Sequence, residues 1–213
     1  MRSLVIGASG GIGAAVAAAL AARGEVVALS RAQDGVDVTD EARVAAALGA
    51  LDGPFDMIFV ATGALGRPEK TLKAFDAAAF AAQFALNAAG PMLVLKHALR
   101  LMPRDRRSTF AALSARVGSI GDNRLGGWYS YRASKAALNQ LLHTAAVEVA
   151  RSHPQAVVAA LHPGTVATRF TADYTADKLA PEESARRLLA VLDGLGPEHS
   201  GGFYDHRGKA VPW

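Results

Sequence analysis

The 213-residue chain contains no cysteine, which excludes disulfide frameworks, thiolate metal sites and thiol nucleophiles at a stroke. Aromatic residues are scarce at 7%, against a hydrophobic content of 51% and a charged content of 20%. A core of this size must therefore be built from Ala, Val and Leu, which suits helices interleaved with short buried strands better than an all-β sandwich. Long apolar runs are lacking as well: the stretches 14–22 and 77–82 are Ala-rich and too short to span a bilayer. No charged segment followed by an apolar stretch and a cleavage site opens the chain. Neither secretion nor a membrane partner is expected, and the expected location is cytoplasmic.

The formal charge of +4 is not gathered into a block. The densest basic cluster, Arg104, Arg106 and Arg107, precedes a strand-like segment and reads as a solvated turn, so no nucleic-acid partner is expected. Linkers, low-complexity tracts and internal repeats are also missing, and residues 1–213 are expected to form one domain. No metal site is expected.

What the chain does have is alternation. Apolar, β-branched runs at 4–6, 26–29, 57–60, 109–113 and 157–161 read as buried strands. Between them lie helix-period stretches: 11–23 closed by Gly24, 40–48, 75–102 as two helices interrupted near 87–91, and 128–151. Pro181-Glu182-Glu183 opens a late helix, and 201–213 carries short strand and turn signals. A βαβα order with short connections implies a single-domain α/β protein of Rossmann type: a doubly wound parallel sheet with helices on both faces.

Strand 4–6 runs directly into Gly7-Ala8-Ser9-Gly10-Gly11-Ile12-Gly13 and then a helix. Glycines stand where a backbone must pass close to a neighbour, and a pyrophosphate at the helix N-terminus fits such a turn, as does tight helix packing alone. The spacing of Gly7, Gly11 and Gly13 is G-x-x-x-G-x-G rather than the general G-x-G-x-x-G fingerprint. The second strand ends at Ser30-Arg31, where a carboxylate would be needed to bind free ribose hydroxyls; an arginine instead pairs with a 2′-phosphate and favours NADP(H) over NAD(H). Asp37-Val38 can bracket the adenine, or Asp37 can cap the next helix.

Tyr131 and Lys135 stand four apart on one helical face. An ammonium beside a phenol favours the phenolate and makes tyrosine a usable acid-base near neutrality. Tyr129 lacks that spacing and falls on a different face. Ser114 follows the fourth strand, at the carboxyl end where open α/β sheets bind ligands, and its hydroxyl can hold a carbonyl oxygen. Asn87 interrupts an apolar helical stretch and can bond freed backbone groups or a water.

Taken in order, the glycine run at 7–13, Val60-Ala61-Thr62-Gly63, Asn87, Ser114, Tyr131-x-x-x-Lys135 and His162-Pro163-Gly164-Thr165-Val166-Ala167-Thr168 resemble the short-chain dehydrogenase/reductase family over nearly the whole chain. The resemblance implies hydride transfer between NADP(H) and a small carbonyl or alcohol compound. It implies Tyr131 as acid and base, Lys135 as the residue that lowers its pKa and binds the nicotinamide ribose, Ser114 as the holder of the substrate oxygen and Asn87 as support for a proton-relaying water. It assigns cofactor contacts to Gly7, Ser9, Gly11, Ile12, Gly13, Ala61, Thr62 and Gly63, and carboxamide contacts to Pro163, Gly164, Val166 and Thr168. The short length and the ending 202–213 look like the C-factor-like or carbonyl-reductase-like branch, for which a nucleotide-binding signalling role with little turnover is the alternative. Three features depart from the family pattern: Val60-Ala61-Thr62-Gly63 stands in place of N-N-A-G and so lacks its asparagine, Gly10 replaces a basic residue common in NADP enzymes, and Tyr129 adds a second tyrosine. A substrate lid at 169–180, a pocket lined by Arg116, Val117, Trp128, Phe170 and Tyr174, and a homodimer or homotetramer formed through the helices beginning near Ala88 and Trp128 complete the expectation.

Overall fold

Six short strands run through the centre of the computed structural model, which describes residues 1–171, 175 and 177–213. They are β1 (Arg2–Ile6), β2 (Glu25–Leu29), β3 (Met57–Val60), β4 (Ser108–Leu113), β5 (Ala156–His162) and β6 (Phe203–Asp205), in the spatial order β2-β1-β3-β4-β5-β6. All five pairings are parallel. Strands β3 and β4 are buried at every position, as a sheet covered on both faces requires, and this is why the sequence shows continuous apolar runs instead of alternation.

The helices are α1 (Gly11–Ala21), α2 (Arg31–Asp34), α3 (Glu41–Gly49), α4 (Ala77–Phe84), α5 (Gly90–Ala98), α6 (Tyr129–Val149) and α7 (Pro181–Gly194). Successive strand residues point to opposite faces, so Val5, Phe59 and Leu161 join Val16 and Leu20 of α1 and Leu188 and Leu192 of α7 in one core. Leu4, Ile58 and Phe110 join Val44 of α3, Val94 of α5 and Leu138 and Leu142 of α6 in the other.

Three local details differ from the sequence reading. Ser30 caps the short helix α2 by accepting from the Gln33 N–H at 3.2 Å, and Gly35 closes it at φ +67°. Asp40, not Asp37, caps α3, accepting from the N–H groups of Ala42 and Arg43; the carboxylate of Asp37 instead accepts from Thr39. The stretch 75–102 is not broken near Asn87: α4 passes through a π turn (Ala85–Ala89) directly into α5. The wide turn lies where the Pro91 ring would otherwise meet the carbonyl of Asn87, four residues earlier. As a result Ala77–Leu101 forms one helical run of 25 residues, long and apolar enough by length and composition to cross a membrane, which corrects the reading of short apolar stretches. Here its inner face packs into the core through Val94, Leu95 and Ala98.

The arginine cluster before β4 is partly committed within the fold. Arg106 pairs with Asp56 at 3.0 Å, and Arg107 donates to the carbonyls of Leu192 and Leu195 at 2.6 and 2.9 Å, satisfying the end of α7.

The order of the sheet places one crevice. The chain leaves β1 toward β2 and returns to the opposite side of β1 as β3, so the direction of winding reverses between β1 and β3. Ligands of open α/β sheets bind at the carboxyl ends of strands flanking such a reversal.

Candidate active site

The turn after β1 is shaped by close approach. Gly7 adopts φ +88°, and its N–H donates to the carbonyl of Leu29 at 2.8 Å. A Cβ on Gly13 would lie 2.2 Å from the Gly7 carbonyl oxygen, and one on Gly11 would lie 2.7 Å from the Thr168 methyl. Only glycine lets α1 start this close to β1 while Thr168 lies over its first turn. No side chain among the described residues caps α1, so its first N–H groups are open to a ligand at the positive end of the helix. Ser9 and Gly11 are exposed along the same turn, and Ile12 is half-buried. Across the crevice, Thr62 lies against Gly7, and its buried hydroxyl has no partner among the described residues. Uncapped backbone donors beside an orphaned hydroxyl fit the diphosphate of a dinucleotide.

At the outer end of the crevice Arg31 is 76% exposed, with its guanidinium 3.8 Å from Asp37. Asp37 is held below the usual carboxylate range by the hydroxyl and N–H of Thr39, with a smaller contribution from the Arg31 charge. Val38 is buried with its side chain turned inward against Gly90.

At the inner end three elements converge. Asn87, in the π turn and fully buried, accepts from the Ala64 N–H at 2.9 Å and donates to the Ala64 carbonyl at 2.9 Å and to Ser134 Oγ at 3.1 Å. It therefore ties the loop after β3 to α6. Lys135, 3% exposed, donates to the Leu113 carbonyl at the end of β4 at 2.8 Å. A Cβ on Gly63 would lie 3.1 Å from Asn87 Oδ1 and 3.3 Å from Lys135 Nζ, so Asn87 and Lys135 crowd the same residue of the β3 turn. Lys135 Nζ is 5.9 Å from the Tyr131 ring centroid. Burial lowers its pKa to about 7, and no carboxylate pairs with it among the described residues.

Tyr131 is 5% exposed, between Trp128 at 6.3 Å and Phe170 at 5.8 Å between ring centroids, whereas Tyr129 is 38% exposed. Ser114 follows β4 and is buried; its hydroxyl donates to Asn139 Oδ1 at 2.6 Å. Of the other expected pocket residues, Arg116 is drawn to Asp122 at 2.6 Å, the carbonyl of Val117 accepts from Arg132, and Tyr174 lies outside the described residues.

The segment after β5 closes the site from the other side. Ser184 of α7 donates to the Pro163 carbonyl at 2.9 Å, and Ala167 and Thr165 are joined to Leu179 by backbone bonds of 2.9 and 2.8 Å. Thr171 Oγ donates to the Val166 carbonyl. His162 is lowered to about 4, mainly by burial and secondarily by His206 beside it, so it stands neutral ahead of Pro163 and Gly164. The expected lid at 169–180 begins as a 3-10 turn, Arg169–Thr171, and residues 172–174 and 176 lie outside the described residues.

Two residues here escaped the sequence reading. Asn139 stands one turn beyond Lys135 on the stripe of Tyr131, and the helical period was the available signal. Glu69, only 6% exposed, accepts at its carboxylate from the N–H and hydroxyl of Ser130 and at its carbonyl from the Trp128 N–H at 2.7 Å. It fastens the start of α6 from a distant loop, and a glutamate between Pro68 and Lys70 gives no sign of this.

A family model described as short chain dehydrogenase matches residues 2–179. The chain is 37% identical over 163 residues to the C-signal of Myxococcus xanthus, covering 76% of this chain and 94% of that protein. It is 31% identical over 228 residues to the 1-hydroxy-2-glutathionyl-2-methyl-3-butene dehydrogenase of Rhodococcus sp. (strain AD45), covering 99% and 98% of the two. A short-chain dehydrogenase/reductase from Burkholderia multivorans, solved with bound NADP, superposes with a TM-score of 0.84 at 27% identity over 100% of this chain and 99% of its own.

Proposed function

The chain belongs to the short-chain dehydrogenase/reductase family of oxidoreductases, which bind a nicotinamide cofactor, and from that premise we propose that it is an NADP(H)-dependent enzyme acting on a small carbonyl or alcohol compound. The observation that carries this reading is Lys135: a lysine 3% exposed, without a carboxylate partner among the described residues, held at a strand end beside a buried tyrosine. A buried amine with no counter-ion costs stability, and chemistry is the reason to keep one there.

In this proposal the glycine turn, the first N–H groups of α1 and Thr62 hold the diphosphate. Arg31 takes the 2′-phosphate, Asp37 and the backbone of Val38 flank the adenine, and Lys135 bonds the nicotinamide ribose. Pro163, Gly164, Val166 and Thr168 take the carboxamide. The cofactor, when bound, supplies or accepts the hydride. Ser114 holds the substrate oxygen. Tyr131 Oη gives that oxygen a proton in reduction and takes it back in oxidation. The cation of Lys135 favours the phenolate and the phenolate favours the cation, so each ionisation supports the other. Asn87 fixes the loop after β3 and the π turn, where a water can carry the proton outward. Trp128 and Phe170 exclude bulk water from Tyr131. Assembly as a homodimer or homotetramer is proposed through α5 and α6, the latter with Leu141 and Val147 exposed.

The likeness to a protein named C-signal supports a second reading, cofactor binding for signalling with little turnover. NADPH oxidation against a panel of aldehydes, ketones and quinones separates the two. Tyr131→Phe is expected to keep NADPH binding and lose about 10²-fold or more in turnover. Cofactor binding without tyrosine-dependent turnover on any panel member would favour the signalling role instead.

A further inference from the structure

Three consecutive residues ahead of α6 are left-handed: Gly126 at φ +66°, Gly127 at +64° and Trp128 at +55°. Glycine adopts this conformation freely. Tryptophan does not, and Trp128 is the one residue with a side chain that has a positive φ among the described residues. Strain of this kind persists only where neighbours hold it. Here every residue of the turn is fastened. The Gly126 N–H donates to Asn123 Oδ1 at 3.1 Å, Arg132 Nε donates to the Gly127 carbonyl at 3.0 Å, and the Trp128 N–H donates to the Glu69 carbonyl at 2.7 Å. Glu69 then takes a second hold, its buried carboxylate accepting from the N–H and hydroxyl of Ser130. A Cβ on Gly127 would lie 3.2 Å from the Glu69 carbonyl oxygen, so the loop after β3 lies tight against the turn.

The ring held in this way is not part of the core. Trp128 is half-buried, and its indole meets the Tyr131 ring in an edge contact at 6.3 Å between centroids. Phe170, 36% exposed, meets the same ring at 5.8 Å from the segment after β5. A third glycine at 128 would fit the turn without strain, so tryptophan costs stability there for a ring that the core does not use. A half-buried indole beside the acid-base tyrosine offers a flat, apolar surface, and a flat, apolar partner gains most from it. We propose that Trp128 is a specificity-determining residue that favours substrates whose carbonyl carries a planar aryl or conjugated group, and that Glu69 is the positioning residue that holds it in place. This rests on Tyr131 as the acid-base of the proposed reaction and names the substrate class of that site.

Benzaldehyde and cyclohexanecarbaldehyde differ in flatness more than in size, and at saturating NADPH the ratio of their kcat/KM values reads the effect. Trp128→Gly removes the ring and suits the left-handed backbone. It should lower the ratio by about 3–10-fold, the worth of one aromatic pair, mainly through KM for benzaldehyde. Trp128→Phe should keep most of the ratio. A wild-type ratio in Trp128→Gly overturns the proposal. Glu69→Ala should lower the ratio as Trp128→Gly does, and adding it to Trp128→Gly should change the ratio no further. Glu69→Gln, which still accepts, should keep most of it. Losses in Glu69→Ala that fall on both aldehydes alike, or that add to those of Trp128→Gly, remove Glu69 from the role. Thermal melts test the strain: Trp128→Ala should melt about 2–4 °C below Trp128→Gly, because only alanine resists the positive φ, and the opposite order overturns the account of the turn. Tyr131→Phe, run in parallel, separates the two levels of inference. If it reduces both aldehydes at wild-type rate, the reading of Tyr131 fails. If it loses turnover on both while Trp128→Gly keeps the wild-type ratio, only the role of Trp128 fails. Should wild type turn over neither aldehyde, the fluorescence of Trp128 decides. The chain has two tryptophans, so Trp213→Phe leaves Trp128 as the sole reporter. With NADP⁺ bound, benzyl alcohol should quench or shift its emission at concentrations where cyclohexylmethanol does not, and an equal response to both, or none, overturns the proposal.

Discussion

Replacing Lys135 with methionine should make the cofactor-free protein more stable near neutral pH and less so, relative to wild type, as pH rises. Burial depresses the lysine from 10.5 to about 7. At about 1.36 kcal/mol per pKa unit this amounts to a penalty of about 5 kcal/mol when the amine is charged in both states. Between the two pKa values the unfolded chain binds more protons than the folded one, so the stability of wild type rises with pH. The penalty is full below pH 7, falls to about 2 kcal/mol at pH 9 and vanishes near 10.5. Methionine removes it but leaves the Leu113 carbonyl without its donor, a cost of about 1–3 kcal/mol that does not depend on pH. The difference in stability between variant and wild type should therefore be about 2 kcal/mol larger at pH 7 than at pH 9. For a chain of this size that corresponds to roughly 4–8 °C in Tm. Scanning calorimetry of both proteins at the two pH values measures it directly. An identical Tm difference at both pH values, or one that grows toward pH 9, would refute the account of Lys135 as an uncompensated buried amine. Turnover in the same variant should fall by about 10²-fold or more, so stability and activity move in opposite directions.

Arg31→Asp should shift the preference of binding from NADP⁺ toward NAD⁺, measured as a ratio of Kd values by titration; an unchanged ratio removes Arg31 from the 2′-phosphate site. Glu69→Ala strips the start of α6 of two accepting contacts and should cost about 1–3 kcal/mol, read by urea unfolding, while Glu69→Gln, which still accepts, should cost less. Equal losses in the two Glu69 variants would mean that the side chain acts by its charge instead of its bonds.

The sheet was legible because both of its faces are covered: β3 and β4 had to be written as unbroken apolar runs, and such runs alternating with helical stretches allow few topologies. Asn87 and Lys135, which crowd Gly63 together, were picked out for a different reason, the order in which the motifs occur. Illegible were features created by tertiary contact. The loop position of Glu69 says nothing of its burial against Ser130, and the partner of Ser114 emerges only when β4 and α6 are brought together. Asn87 and Pro91 read as a helix break because each disfavours a regular helix, and the π turn that accommodates both has no periodic signature. The burial of the Val38 side chain against the bare α-carbon of Gly90 is likewise a tertiary contact that its sequence neighbours do not announce.

That π turn has a consequence for how this helix can change over evolutionary time. One surplus residue rotates everything before it by about 100° relative to everything after it, since each residue of an α-helix advances by that angle. The rod from Ala77 to Leu101 thus keeps two independent phases, one that presents Gln83 and Asn87 toward the loop after β3 and one that sets Val94, Leu95 and Ala98 into the sheet. Deleting a single residue between 85 and 89 would bring the phases into register and misaim one end of the rod, whichever end stayed put. Substitutions can accumulate along this helix, but its length in that one turn is fixed by the requirement to serve two surfaces at once.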